Sequence, residues 1–209
     1  MLFPGSIGGV NWGGSASDPT LGFVFINTMD EASIGWIEKT PEGQRGNGFR
    51  RNSIFGPTSR FQWSEGDPRS GNINGAGAKA WPCQKPPWGH LVAVNANTGD
   101  IAWKVPLGIT EELPPAKQKT GRLSMGGPIA TAGGLVFIAA TNDKRFRAFN
   151  SKTGKQLWVT KLDMSAHAVP ITYQGKNGKQ YVAIVAAGAS AIDDPEPPGS
   201  ESLVVFALP

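Results

Sequence analysis

Three short segments carry the side chains best suited to binding or catalysis. In the first, Asn11-Trp12 stands between two glycine pairs, Gly8-Gly9 and Gly13-Gly14. An amide both donates and accepts hydrogen bonds, an indole packs on flat surfaces, and flanking glycines let a backbone and a ligand approach closely. That combination suits recognition of a flat, polar small molecule, although an Asn-Trp pair also serves plain packing. In the second, Ser124-Met125-Gly126-Gly127, the glycines can bring the backbone against a ligand or can simply form a turn. The third, Ala166-His167-Ala168, carries one of the chain's two histidines. A surface loop is the ordinary place for such a histidine, and a reach toward a shared ligand is the sharper reading.

Other reaction types find little support. Cys83 is the only cysteine, so no disulfide can form within the chain. It reads as a packed loop thiol, because neither His90 nor His167 has a recognisable triad context. The carboxylates Asp193, Asp194 and Glu196 lie in a proline-rich stretch without the alternating Asp/Asn and Gly spacing of a calcium loop, and read as a solvated loop. No phosphate-cradling glycine loop, zinc spacing or Ser-His-Asp arrangement is present. The sequence therefore assigns no catalytic residue and no metal ligand. The net charge is only +4, and the basic residues are scattered, as at Lys39, Arg45, Arg50, Arg51, Arg60 and Arg69, without interleaved aromatics. Nucleic acid is excluded as a partner on that ground. No run of 18 apolar residues could form a membrane-spanning helix. The start, Met1-Leu2-Phe3-Pro4-Gly5, has no charged and then apolar leader, which implies either a cytoplasmic protein or a true N-terminus elsewhere.

The elements that must position these segments come from a repeat. Ala93-Val94-Asn95-Ala96-Asn97-Thr98-Gly99-Asp100-Ile101-Ala102-Trp103 aligns with Ala148-Phe149-Asn150-Ser151-Lys152-Thr153-Gly154-Lys155-Gln156-Leu157-Trp158, an offset of 55 residues. Each copy reads as a hairpin: apolar residues up to an Asn, a Thr-Gly turn, and a second run ending in Trp. A period of this size marks a propeller or solenoid. The 28 glycines and 17 prolines suit many short strands joined by turns.

Extended along the chain, the pattern yields three antiparallel units. The first spans 11–107, with a long insertion at 29–88 that is rich in Gly, Arg, Ser and Pro and shows little periodicity. The second spans 126–162. Its run Leu135–Ala140 is apolar without alternation, as in a strand buried on both faces. The third, 168–208, has three strands instead of four. The predicted fold class is all-β, a partial β-propeller of about three blades. In such a fold the first strand of each unit lies nearest the axis, so the three chemistry-bearing segments would converge there.

The Trp repeats resemble the tryptophan-docking motifs of quinoprotein dehydrogenases, enzymes that use pyrroloquinoline quinone (PQQ) on an eight-bladed propeller. Gly8-Gly9-Val10-Asn11-Trp12-Gly13-Gly14 resembles that family's Gly-Gly-x-Asn-Trp segment. Pro86-Pro87-Trp88-Gly89-His90-Leu91, Pro106-Leu107-Gly108, Ala130-Thr131-Ala132-Gly133-Gly134-Leu135-Val136-Phe137 and Gly178-Lys179-Gln180-Tyr181-Val182 are similar to its glucose-dehydrogenase-like branch. The five occur in the family's order and cover nearly the whole chain.

The resemblance implies the C-terminal part of a periplasmic enzyme that oxidises a sugar or alcohol hydroxyl and passes electrons to a quinone or cytochrome. It places Asn11 and Trp12 beside PQQ, and Gly126 and Gly127 are candidates for close backbone approach to it. It also implies a divalent cation, usually calcium, and an Asp base, both held by blades that precede the Asn-Trp segment. The remaining blades would then be partners of this chain. The contrasting reading is a non-catalytic propeller that uses the same repeat as an interaction scaffold. The glycine-flanked Asn11-Trp12, which a scaffold does not need, separates the two.

Overall fold

The chain enters its first sheet at β1 (Ala16–Asp18) and turns through the Asp18 carboxylate, which accepts the N–H groups of Thr20 and Leu21, into β2 (Phe23–Met29). It then leaves the sheet and forms two separate hairpins, β3 (Trp36–Lys39) with β4 (Phe49–Asn52) and β5 (Gln62–Ser64) with β6 (Ala80–Pro82). The long insertion, aperiodic in sequence, thus contains paired strands. The chain returns as β7 (Gly89–Asn95) and β8 (Ile101–Pro106), completing a four-stranded sheet in the order β1-β2-β7-β8. This is a computed structural model, and it describes residues 1–5, 8–43, 48–52, 62–64, 80–188, 193 and 201–207.

The second sheet is a meander of β9 (Ile129–Thr131), β10 (Leu135–Ile138), β11 (Arg145–Asn150) and β12 (Gln156–Lys161). The third contains β13 (Ile171–Gln174), β14 (Gln180–Ala186) and β15 (Ser202–Ala207). Every pairing is antiparallel. Among the described residues the only helical element is a 3-10 turn at Pro115–Lys117.

The two copies of the repeat adopt the same structure, and the shared residue types explain why. Asn95 Oδ1 accepts the N–H of Asn97, as Asn150 Oδ1 accepts that of Lys152. Thr98 and Thr153 hydroxyls accept the N–H groups of Asp100 and Lys155. Gly99 (φ 80°) and Gly154 (φ 69°) take the left-handed conformation that closes each turn. A bulge adjoins each turn, with Ala102 unmatched opposite Ala93/Val94 and Leu157 unmatched opposite Ala148/Phe149.

The core lies between sheets. Phe25, Leu91, Ala93 and Leu107 of the first sheet region pack on Val136, Ile138, Ala140 and Phe149 of the second. On its other face the second sheet uses Phe137, Phe146, Leu162 and Met164 against Val182, Ile184, Val204 and Phe206 of the third. Strand β10 therefore sends alternate side chains to two neighbouring sheets, which is why its sequence is apolar without a polar face. These are blades of a β-propeller, packed face to face.

Candidate functional site

The segments that precede the three inner strands meet backbone against backbone. A Cβ on Gly13 would lie 1.8 Å from the Gly126 carbonyl carbon, and one on Gly127 would lie 2.1 Å from the Gly13 oxygen. A Cβ on Gly126 would lie 2.3 Å from the His167 oxygen. No side chain fits at any of these places, and Gly126 also needs its φ of 106°. The side-chain space of Gly126 and Gly127 is thus filled by protein backbone, and that packing accounts for both glycines. One rim carries Gly13, Gly126, Gly127 and His167 in succession, one segment from each blade.

Asn11 and Trp12 are attached to this rim through Gly13. They do not begin a strand, as the sequence suggests, since β1 starts only at Ala16. They form a turn: Asn11 Oδ1 accepts the Trp12 N–H at 2.7 Å, and the Asn11 carbonyl accepts the Gly14 N–H at 3.2 Å. The short carboxamide competes successfully with strand pairing here, a habit of Asn near turns. The segment is tied to the end of β2 by Met29 N–H donating to the Gly9 carbonyl at 2.7 Å. The Trp12 side chain is 64% exposed. A large indole left open beside an amide offers a surface to a planar group.

His167 and Asp193 depart from their sequence readings. Neither is a solvated loop residue: their side chains are 10% and 3% exposed and form a pair. His167 Nε2 lies 2.9 and 3.0 Å from the two Asp193 carboxylate oxygens. Its Nδ1 faces the carbonyls of Met125 at 3.2 Å and Ala140 at 3.0 Å. Burial opposes the charged form, but Asp193 and the two carbonyls outweigh it and raise the His167 pKa above the ordinary imidazole value. Residues 26 apart in sequence gave no local signal of this pairing.

Other charged groups among the described residues also form pairs. Arg147 and Asp143 form a buried ion pair, completed by the Thr141 hydroxyl and the Ile109 N–H, both donating to the carboxylate. Burial works against the Asp143 charge, yet Arg147 above all holds its pKa below the usual carboxylate range. Asp30, where the insertion leaves β2, is likewise lowered, first by its contact with His90 and also by Lys104. Cys83 is exposed rather than packed.

Residues 1–182 match the family model described as PQQ: glucose/ethanol/alcohol dehydrogenase, β-propeller domain. The chain is 41% identical over 93% of its length to the quinate/shikimate dehydrogenase (quinone) of Acinetobacter baylyi, and 32% identical over its whole length to the quinoprotein glucose dehydrogenase of Escherichia coli. It spans about a quarter of the length of these relatives, 25% and 27%. Among solved structures it is similar to the quinohemoprotein alcohol dehydrogenase of Comamonas testosteroni, with a TM-score of 0.58 at 21% identity, over 98% of this chain and 27% of that one. The paired sheets, the repeated turn and this match over most of the sequence lead to one conclusion: the chain belongs to the β-propeller family of PQQ-dependent glucose, ethanol and alcohol dehydrogenases.

Proposed function

We propose that this chain supplies one wall of the PQQ pocket of a dehydrogenase that oxidises a sugar or alcohol hydroxyl, with Asn11 and Trp12 as its cofactor contacts. The observation that carries the reading is their placement: an open indole and an amide stand on the rim where segments of three blades converge. When bound, PQQ supplies the two-electron acceptor for the hydroxyl carbon. The chain's own residues bind and orient. Asn11 would hold the cofactor by hydrogen bonding and Trp12 by aromatic packing. Gly126 and Gly127 offer the pocket backbone, and their contacts with Gly13 and His167 keep the rim closed on the protein side.

The remaining walls, the divalent cation (calcium in this proposal) and the base belong to further blades, which would pack on the open face of the third sheet. A periplasmic location and a quinone or cytochrome acceptor belong to the same proposal. Among hydroxyl substrates, the names of the relatives favour a cyclic polyol such as quinate, shikimate or glucose. In the same reading Trp103 and Trp158 are docking residues that join successive blades.

The test is a PQQ titration, with calcium present, of a polypeptide that joins this chain to its remaining blades. Asn11→Ala should weaken cofactor binding by about 1–3 kcal/mol, the scale of one buried hydrogen bond lost. Trp12→Ala should weaken it as well. Unchanged affinity in both variants would reject the assignment.

A further inference from the structure

His167 is surrounded in a way that a neutral imidazole does not satisfy. Its Nδ1 faces two carbonyl oxygens and its Nε2 faces two carboxylate oxygens. A neutral ring has one N–H, so one of its nitrogens would point a lone pair at oxygen. If Nδ1 kept the proton, the Nε2 lone pair would face the Asp193 carboxylate oxygens. If Nε2 kept it, the Met125 and Ala140 carbonyls would face a lone pair. Only the imidazolium, with a proton on each nitrogen, satisfies both sides.

The backbone around it is built for the same bond. Ala140 is buried and holds a φ of 62°, the left-handed region that a residue with a Cβ rarely adopts. In that conformation its carbonyl accepts both the Met125 N–H at 2.9 Å and the His167 ring. Strain at one residue is thus offset by two hydrogen bonds at the rim. Close by, Gly188 N–H donates to the Ser165 carbonyl at 2.9 Å, and Ala140 N–H to the Ala166 carbonyl at 2.8 Å. His167 lies at the centre of this seam between the second and third blades.

We propose that His167, protonated on both ring nitrogens, is a positioning residue that clasps Asp193 to the inner rim of the second blade and makes the geometry of that rim sensitive to pH. The clasp stands on hydrogen-bond geometry and does not depend on which ligand the rim takes. From the second blade, His167 meets the Met125 and Ala140 carbonyls; from the third, the Asp193 carboxylate. The adjoining Gly13, Gly126 and Gly127 bring no side chain. Asp193 is thus the charged group, among the described residues, whose field acts on the ring. Because the folded-state pKa is raised, the clasp is complete below the ordinary imidazole value near 6.5 and opens as pH climbs through the higher folded value. Opening removes the bonds that hold the Met125 carbonyl, one residue from Gly126, whose neighbour Gly127 packs on Gly13.

A side-chain 1H–15N NMR titration of the chain tests this, since the chain has only two histidines. His167, distinguished from His90 by its loss in His167→Gln, should show both nitrogens protonated at pH 6.5 and titrate above that value. The backbone amide signals of Gly126 and Gly127 should shift with the same midpoint. Asp193→Asn, which keeps shape and removes charge, should lower the midpoint by at least about one pH unit, because burial then acts with less opposition. A single-N–H tautomer at pH 6.5, or glycine amide signals indifferent to the His167 titration, would overturn the proposal.

Discussion

Trp103 of the first blade donates its indole N–H to the carbonyl of Ser151 in the second at 2.9 Å, while its six-membered ring lies over Gly154. A Cβ on Gly154 would come within 2.7 Å of that ring. The glycine closes the repeated turn by its positive φ and, in the same stroke, clears a flat seat for the neighbour's indole. Trp158, at the equivalent place one blade on, packs edge-on against Phe146 and Phe206 and remains 37% exposed.

Removing this contact should couple the two residues. Trp103→Ala should cost about 2–4 kcal/mol, somewhat less than a fully buried aromatic. Trp103→Phe should cost about 1 kcal/mol for the hydrogen bond. Gly154→Ala alone should destabilise, whereas adding it to Trp103→Ala should cost much less, because the clash has gone. Urea unfolding of the four proteins of that cycle measures the coupling. Additive costs would mean that ring and glycine do not meet.

The rim glycines allow a controlled comparison. Gly126→Ala meets both a left-handed backbone and the His167 carbonyl at 2.3 Å, and should cost about 2–5 kcal/mol. Gly178→Ala has a similar φ of 77° but nothing within 4 Å, and should cost only about 1–2 kcal/mol. Equal losses in denaturant midpoint would show that the close approach at the rim is absent in solution.

The Asp143–Arg147 pair should dominate acid behaviour among the buried groups. Its carboxylate pKa is depressed on folding, so its stabilisation is present above the unfolded value near 3.9 and is lost as pH falls through the lower folded value. Asp143→Asn leaves Arg147 buried without its partner and should cost about 3–5 kcal/mol at neutral pH. Stability curves from pH 7 to 2 should show the wild type losing this contribution only at the acidic end, with the variant lacking that step.

The third sheet presents Ile171, Tyr173, Val185, Leu203 and Val205 on one exposed face. The intervening β15 residues Val204 and Phe206 point to the covered side against the second blade. An apolar sheet face of this kind favours association. Sedimentation of the isolated chain should show concentration-dependent self-association, which Leu203→Lys together with Val205→Glu should reduce. A monomer at high concentration would count against it.

Local and periodic features are legible from the amino-acid chain alone. Asn, Thr and Gly at matching places in two copies specified the turn, because the bonds that build it span only two to four residues. The uninterrupted apolar run Leu135–Ala140 specified a strand with two buried faces, since no polar side was left for water. Asn11-Trp12 was legible as a candidate by residue type, but its form as an exposed turn depended on a carboxamide capping its own backbone in place of strand pairing. The hairpins within the insertion were not legible, for their short strands carry no clear alternation. Which residues meet at the rim depends on how the blades pack. Gly13, Gly126–Gly127 and His167 are far apart in the chain and touch through backbone atoms, which leave no trace in side-chain pattern beyond the glycines themselves. His167 and Asp193 became a buried pair because blade packing excluded water from both, and burial of charge is a property of the assembled sheets and of no single segment.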